Sequence, residues 1–229
     1  MAKLNIRAQT WRDKIVKTII AERSRYPNRS GNTPFGRLAD KLEEAESDKV
    51  EAVAVLDAFL SLINEPPRTQ SDEDAVTYWR SLWLLSKSLE YEKDKLTLAF
   101  HSRLFGKHAL PDNLKVFALN GFIELGGNLT LQEIHSLGAV KNSNPVAWIN
   151  AMIKSSHHYH AFAALQDTLT STTLTVHQLK GLVINLEGWG KYFPNPDDYN
   201  QKIVNLWKIS KGDVHQHLGK WLTRRNINH

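Results

Sequence analysis

Hydrophobic residues recur along most of the chain at the three- and four-residue steps of an α-helix. In the first clear helix Trp11, Ile15 and Ile19 form one apolar stripe, because residues four apart lie on the same helix face. Residues 50–63 are apolar around most of the helix circumference, which predicts a central helix buried on several sides. Only residues 171–176 are strand-like, and that segment is short. The pattern therefore predicts an all-α protein.

Capping residues mark where several of these helices begin. Ser, Thr and Asn side chains can accept a hydrogen bond from the free backbone N–H groups of a first turn. A Pro or an acidic residue shortly afterwards strengthens the signal. By this criterion we predict helix starts at Thr33, Ser71, Thr130 and Asn144.

The predicted architecture is an irregular multi-helix bundle of about eleven or twelve helices joined by short loops. Helix pairs begin near residues 111, 144 and 174, a spacing of roughly 30 to 35 residues that also fits HEAT-like stacked helical hairpins. The two prolines and polar residues of 64–71 predict a linker. We therefore divide the chain into a basic N-terminal helical segment with the central core helix, 1–66, and a helical core with C-terminal basic helices, 67–229.

Composition narrows the classes of protein. The chain has no cysteine, which excludes disulfides, thiolate metal sites and a cysteine nucleophile and fits a reducing compartment. No apolar run approaches the roughly 20 residues of a membrane-spanning helix, and the N-terminus has no secretory signal pattern. We expect a cytoplasmic protein with no membrane partner.

Candidate catalytic motifs do not meet their structural requirements. His157 and His160 would share one helix face, but no carboxylate or thiol at a familiar spacing completes a metal site. Gly188 and Gly190 follow a helix rather than a strand, which is wrong for a phosphate-binding loop. We predict a protein that is not an enzyme and that carries no metal or cofactor.

The charges are distributed unevenly, although the formal net charge is only +5. Residues 1–37 contain nine Lys or Arg and two acids, residues 38–100 contain seven and fourteen, and residues 101–229 contain thirteen and eight. Basic ends suggest a polyanionic partner. The acidic middle is expected to face a protein neighbour or to pack against the basic segments.

The basic residues of both ends are the candidate binding residues, and the hypothesis requires the two ends to form one shared surface. Arginine dominates between residues 18 and 37, and its planar guanidinium suits phosphate. Near the C-terminus cations alternate with Trp207 and Trp221, as in single-strand binding proteins, although both tryptophans lie on apolar faces typical of a core. The candidates are Arg12, Lys17, Arg23, Arg25, Arg29 and Arg37, followed by Lys208, Lys211, Arg224 and Arg225.

Residues 148–191 comprise a helix ending in an Ile-Lys step, a second helix with spaced leucines and a third ending in a Trp-Gly step. This succession resembles the end of the small subunit of the type I-E CRISPR surveillance complex, Cascade. The resemblance implies a non-catalytic helical subunit that holds crRNA and displaced or target DNA by backbone charge, in antiviral defence. Residues 1–110 do not share it. The matching positions are Ile149, Ile153, Lys154, Leu165, Leu169, Leu179, Leu182, Trp189, Gly190, Lys191 and Trp207.

The sequence therefore predicts a non-enzymatic α-helical subunit that binds RNA or DNA through the phosphate backbone, without sequence specificity, within a larger assembly of protein subunits. Two alternatives stay open. One is a helical-repeat scaffold whose groove binds a protein or peptide. The other is a HEAT-like DNA-repair glycosylase, whose catalytic carboxylate and aromatic residues cannot be located in the sequence.

Overall fold

The computed structural model of the chain describes residues 4–21, 32–171 and 174–229, and these fold almost entirely as α-helices. The prediction of an all-α protein is confirmed, because no β-strand occurs within those ranges. The same ranges contain thirteen α-helices, slightly more than predicted. The helices form two compact units, Met1–Gly127 and Asn128–His229, and each is considered by itself.

Unit 1 contains six helices among its described residues. They are α1 (Ile6–Ala21), α2 (Pro34–Ala45), α3 (Lys49–Asn64), α4 (Asp72–Ser86), α5 (Lys93–Phe105) and α6 (Asp112–Glu124). The central position predicted for α3 is confirmed, because α3 packs against α1, α2 and α5. Phe59, Leu62 and Ile63 of α3 have no exposed surface. The apolar circumference of α3 therefore organises the core of this unit.

The predicted division between residues 66 and 67 falls inside unit 1. The proline-containing segment does form the loop between α3 and α4, but α4 packs against both α1 and α6. Across this loop the Tyr78 hydroxyl of α4 donates a hydrogen bond of 2.9 Å to the Leu62 carbonyl of α3. Contacts made by α4 thus place both sides of the loop in one unit, and the boundary between the units follows Gly127.

The four predicted helix starts are confirmed. The side-chain oxygens of Thr33, Ser71, Thr130 and Asn144 each accept a backbone N–H in the first turn of α2, α4, α7 and α9, over 2.9 to 3.2 Å. Each bond satisfies a donor that the helix itself leaves free. In the strand-like segment Thr175 instead caps α11, and residues 172–173 lie outside the described ranges.

Unit 2 contains seven α-helices among its described residues. They are α7 (Leu131–Ser136), α8 (Gly138–Ser143), α9 (Pro145–Lys154), α10 (His158–Ser171), α11 (Val176–Trp189), α12 (Pro196–Ile209) and α13 (Gly212–Arg224). Helix α9 is central, with Pro145 to Ile153 all buried, and it packs against α7, α8, α10 and α11.

Alternate helices of unit 2 pack on one another. Helix α11 contacts α9 and α13, and α12 contacts α10. This arrangement places α10 beside α12 and α11 beside α13. The candidate C-terminal cations are carried by the hairpin of α12 and α13.

Candidate functional site

Arg12, the first candidate residue, is bound within unit 1. Its Nε donates to the Ser61 hydroxyl at 3.2 Å and its Nη2 donates to the Glu65 carbonyl at 3.3 Å. Both acceptors lie at the C-terminal end of α3, where carbonyl groups are left without helical partners and attract cations. The guanidinium therefore caps α3 with two of its N–H donors.

Other charges of α1 are also engaged by the acidic middle of the sequence. Arg7 forms an ion pair of 3.1 Å with Glu51 of α3, and Trp11 donates its indole N–H to the second oxygen of the same carboxylate at 2.8 Å. Lys14 lies 4.3 Å from the centre of the Trp11 ring. Desolvation by burial, together with the nearby Lys41 charge, lowers the pKa of Lys14. Part of the acidic middle therefore packs against the basic start, one of the two outcomes expected for it.

The remaining N-terminal candidates do not form a described cluster. Lys17 is exposed on α1. Arg37 is exposed in the first turns of α2 and donates to the Asn32 carbonyl at 3.1 Å. Arg23, Arg25 and Arg29 lie outside the described residues.

The C-terminal candidates lie on a hairpin whose two helices run antiparallel. The end of α12 meets the first half of α13, where the rings of Trp207 and His215 stack 4.7 Å apart. The start of α12 meets the end of α13, where the rings of Tyr199 and Trp221 are 6.3 Å apart. Gly219 permits the close approach, because a Cβ there would lie 3.2 Å from the Trp207 indole nitrogen. We call α12 and α13, with the residues that join and follow them, the basic hairpin.

Cations are exposed at both ends of the basic hairpin. Lys208 and Lys211 lie at its connecting end, and Lys220, Arg224 and Arg225 lie at the other end. Lys220 and Arg224 share one face of α13, since they are four residues apart. The hairpin is about 20 Å long at the rise of an α-helix, a length over which one strand of B-form DNA carries about six phosphates.

Basic residues outnumber acidic residues on this hairpin. Residues 196–229 contain six Lys or Arg and three acids, Asp197, Asp198 and Asp213, and the first two of these acids lie in the first turn of α12. Within the described part of the chain, none of the five exposed cations forms an ion pair with a carboxylate. Their charge is therefore available to an external anion, in contrast to that of Arg7, which is paired with Glu51.

The two tryptophans of the basic hairpin differ in exposure. Trp221 is 1% exposed, as expected for a core residue, and the Arg225 guanidinium lies 4.8 Å from its ring centre. Trp207 is half-buried, with His215 stacked on its ring and the edge of His229 4.7 Å away. Trp221 is therefore closed to a base, and one face of Trp207 is covered by His215.

A groove between α10 and α12 supplies exposed aromatic surface beside the basic hairpin. Its volume is about 300 Å³, and its walls include Tyr159 and Phe162 of α10 and Lys202 and Ile209 of α12. We call it the α10–α12 groove. Tyr159 was not among the residues predicted from the sequence, where only the neighbouring His157 and His160 were tested as metal ligands. Its position three residues before Phe162, on one helix face, was the available signal.

A hollow in unit 1 has a different lining. It measures about 530 Å³ and lies between the end of α1 and the start of α4, where Glu73 and Asp74 face it together with Arg68. The two carboxylates interact with the positive end of the α4 dipole and repel a polyanion. This hollow is therefore a poorer candidate for phosphate binding than the basic hairpin.

The histidines at 157–160 have local partners. The ring nitrogen Nε2 of His157 is 2.8 Å from the Leu129 carbonyl, and the His158 ring lies 4.3 Å from that of Phe193. Within the described ranges, no three His or acidic side chains are grouped closely enough to hold a metal ion. None of the described helices is both long and apolar enough to cross a membrane.

Replacement of His158 should change how stability depends on pH. Desolvation by burial lowers the pKa of His158 below its ordinary value of 6.5, and its Nε2 is buried without a hydrogen-bond partner. A lowered pKa means that the unfolded chain takes up the proton first, so stability is complete above pH 6.5 and falls as the pH drops below it. We expect His158→Phe to reduce this loss, measured as the difference in urea midpoint between the variant and the wild type from pH 7.5 to pH 5. Parallel curves for the two proteins would contradict the assignment.

Comparison of the chain with known protein families, curated proteins and solved structures finds no match.

Proposed function

We propose that this protein is a non-enzymatic subunit that binds nucleic acid through the phosphate backbone and without reading base sequence. The observation that supports the proposal is the basic hairpin, where exposed lysines and arginines have no carboxylate partner among the described residues. Unpaired cations on one surface attract a polyanion by direct Coulomb interaction and by release of its counterions.

In this proposal the C-terminal candidates form the binding surface and the N-terminal candidates do not. Lys208, Lys211, Arg224 and Arg225 carry it, and Lys220 joins them. Arg12 is assigned a structural role instead, because moving its guanidinium to a phosphate would leave the carbonyl end of α3 without this donor. Phosphate contacts of this kind position a strand and carry no sequence information.

The resemblance to the small subunit of the type I-E CRISPR surveillance complex extends the proposal to an assembly. In that case the chain would work beside other protein subunits and would hold RNA or DNA that those subunits select. The observation that bears on the binding surface, the basic hairpin, is independent of this resemblance.

The test is salt-dependent binding of a labelled oligonucleotide, measured by fluorescence anisotropy. If about five phosphates are contacted, the logarithm of the association constant should fall with the logarithm of salt concentration with a slope of about −3 to −4 for a single strand. The triple variant Lys208→Glu/Lys220→Glu/Arg224→Glu should bind at least about tenfold more weakly at low salt, with a slope reduced by about two units.

A matched control separates the basic hairpin from net charge. Lys41, Lys49 and Lys107 are exposed in unit 1, and their triple replacement by Glu changes the net charge by the same amount. We expect this control to keep most of the affinity and the full salt slope. Equal losses in the two triple variants, or wild-type binding that is insensitive to salt, would refute the proposal.

A further inference from the structure

The α10–α12 groove combines one exposed ring with hydrogen-bonding side chains. Tyr159 and Phe162 line it from α10. Tyr159 is 80% exposed, which is unusual for a large ring in a helix that contributes to the core. The amides of Gln166 and Asn205 lie on opposite walls. A flat ring system could therefore stack on an aromatic side chain and meet amide donors and acceptors at its edge.

The exposed apolar surface of unit 2 is concentrated at this groove. Of the three large apolar side chains exposed among the described residues of that unit, two line the groove, Tyr159 and Ile209, the latter 43% exposed. Apolar residues gathered at a concave site, with a polar rim, are typical of a ligand-binding surface. A volume of about 300 Å³ is at the small end of the range for ligand pockets and suits one ring system rather than a large cofactor.

Positive charge adjoins the same groove. The Lys202 ammonium lies 5.6 Å from the centre of the Phe162 ring and 3.8 Å from the Asp198 carboxylate, its partner one turn earlier. Lys208 is three residues after Asn205, so both lie on the exposed side of α12. The wall of the groove formed by α12 is thus part of the basic hairpin.

We infer that the α10–α12 groove receives a nucleobase of a single-stranded nucleic acid whose phosphates follow the basic hairpin. The inference rests on the proposed function and specifies its ligand. In a duplex the bases are stacked and paired, whereas an unpaired base can leave the strand and stack on an exposed aromatic ring. The unpaired charge of Lys208 beside the groove favours this occupant over the uncharged side chain of a partner protein.

The experiment compares two labelled strands with the same number of phosphates. One is oligothymidylate, and the other is an abasic strand that has the same backbone without bases. We expect the wild-type protein to bind oligothymidylate about tenfold more tightly, the size expected for one base stacked on an aromatic side chain. Tyr159→Ala should remove this preference and leave the affinity for the abasic strand unchanged. Tyr159→Phe retains the ring and should keep the preference.

The controls distinguish failure of the groove from failure of the proposed function. Tyr192→Ala removes a half-buried tyrosine of the same unit that does not line the groove, and it should bind both strands as the wild type does. The triple charge variant of the basic hairpin should lose affinity for both strands equally. If wild-type binding depends on salt but shows no preference for oligothymidylate, the inferred nucleobase site is wrong, and the groove is then assigned to a partner protein. The same conclusion follows if Tyr159→Ala weakens the binding of both strands equally. If neither strand shows salt-dependent binding, both the nucleobase site and the proposed function are wrong.

Discussion

Replacing Trp189 by Ala is expected to lower the free energy of unfolding by about 3–5 kcal/mol, the range for large-to-small changes at buried aromatic positions. Trp189 ends α11 and is 1% exposed. Its indole N–H donates 2.9 Å to the Oδ1 atom of Asn150, on the central helix of unit 2. The substitution therefore creates a cavity and leaves a buried amide oxygen without its donor. Urea denaturation followed by circular dichroism measures the loss.

Two further variants separate the packing of Trp189 from its hydrogen bond. Trp189→Phe keeps most of the ring and removes the donor, so we expect a smaller loss of about 1–3 kcal/mol. Ile184→Ala changes an apolar residue of the same helix that is 71% exposed and should alter stability by less than about 0.5 kcal/mol. If Trp189→Ala were no more damaging than Ile184→Ala, the buried position of Trp189 would be wrong.

Replacing Phe100 by Ala is expected to destabilise unit 1 by a similar amount, about 3–5 kcal/mol. Phe100 of α5 has no exposed surface. Its ring lies so close to α6 that a Cβ built on Gly121 would be 2.8 Å from it. Glycine at this position lets α5 and α6 approach each other and makes room for the ring. Hydrogen exchange of amides in α5 and α6, together with urea denaturation, measures the effect.

Substitution of Gly121 tests the same contact from α6, because it adds a side chain next to the Phe100 ring. Gly121→Ala improves helix propensity by about 1 kcal/mol but forces the buried Phe100 ring to move, at about 1–3 kcal/mol, so the net change should be destabilising. In the double variant with Phe100→Leu the two changes should partly compensate, because the smaller side chain leaves space for the new methyl group. Leu98→Ala, at a 69% exposed position of α5, is the neutral control. A stabilising Gly121→Ala would contradict the close approach of the two helices.

The helix starts were predictable because capping is local chemistry. Thr130 and Glu133 are three residues apart, and the side chain of each accepts a hydrogen bond from the backbone N–H of the other. Such bonds need no distant partner, so spacing along the sequence is sufficient. Helix α5 has no comparable signal: Glu92 precedes it with a positive φ of 45° and makes no capping hydrogen bond. The end of α7 before Gly138 was predictable, because glycine commonly follows the last turn of a helix, and the structure has the break at Leu137.

The division of the chain was not predictable from the loop between α3 and α4. Its prolines and polar residues indicate irregular backbone, and the structure has a loop there. Whether a loop also separates two units depends on what the following helix contacts, and that information resides in side chains far apart in sequence. The hydrogen bond from Tyr78 to the Leu62 carbonyl is one such contact.

The sequence predicted that the candidate site is basic, but it predicted only in part which basic residues belong to it. Counts of Lys and Arg identified both basic ends, and the sequence placed Arg12 and Lys208 in the same category. The structure distinguishes the two residues, because Arg12 donates hydrogen bonds at the end of α3, whereas Lys208 is exposed to solvent. Whether a cation is held by acceptors of another helix or faces solvent depends on where those acceptors lie, and their location is a tertiary property.

By itself the sequence determined the helical class, the capped helix starts and the scarcity of acids in the last thirty or so residues, since periodicity, capping and charge depend on neighbours along the chain. Only the tertiary structure decided which cations are neutralised, where the units divide, and that Tyr159 and Ile209 face one groove beside the basic hairpin. Those features arise where helices distant in sequence meet. Their geometry follows from how side chains of different helices pack, which no local pattern records.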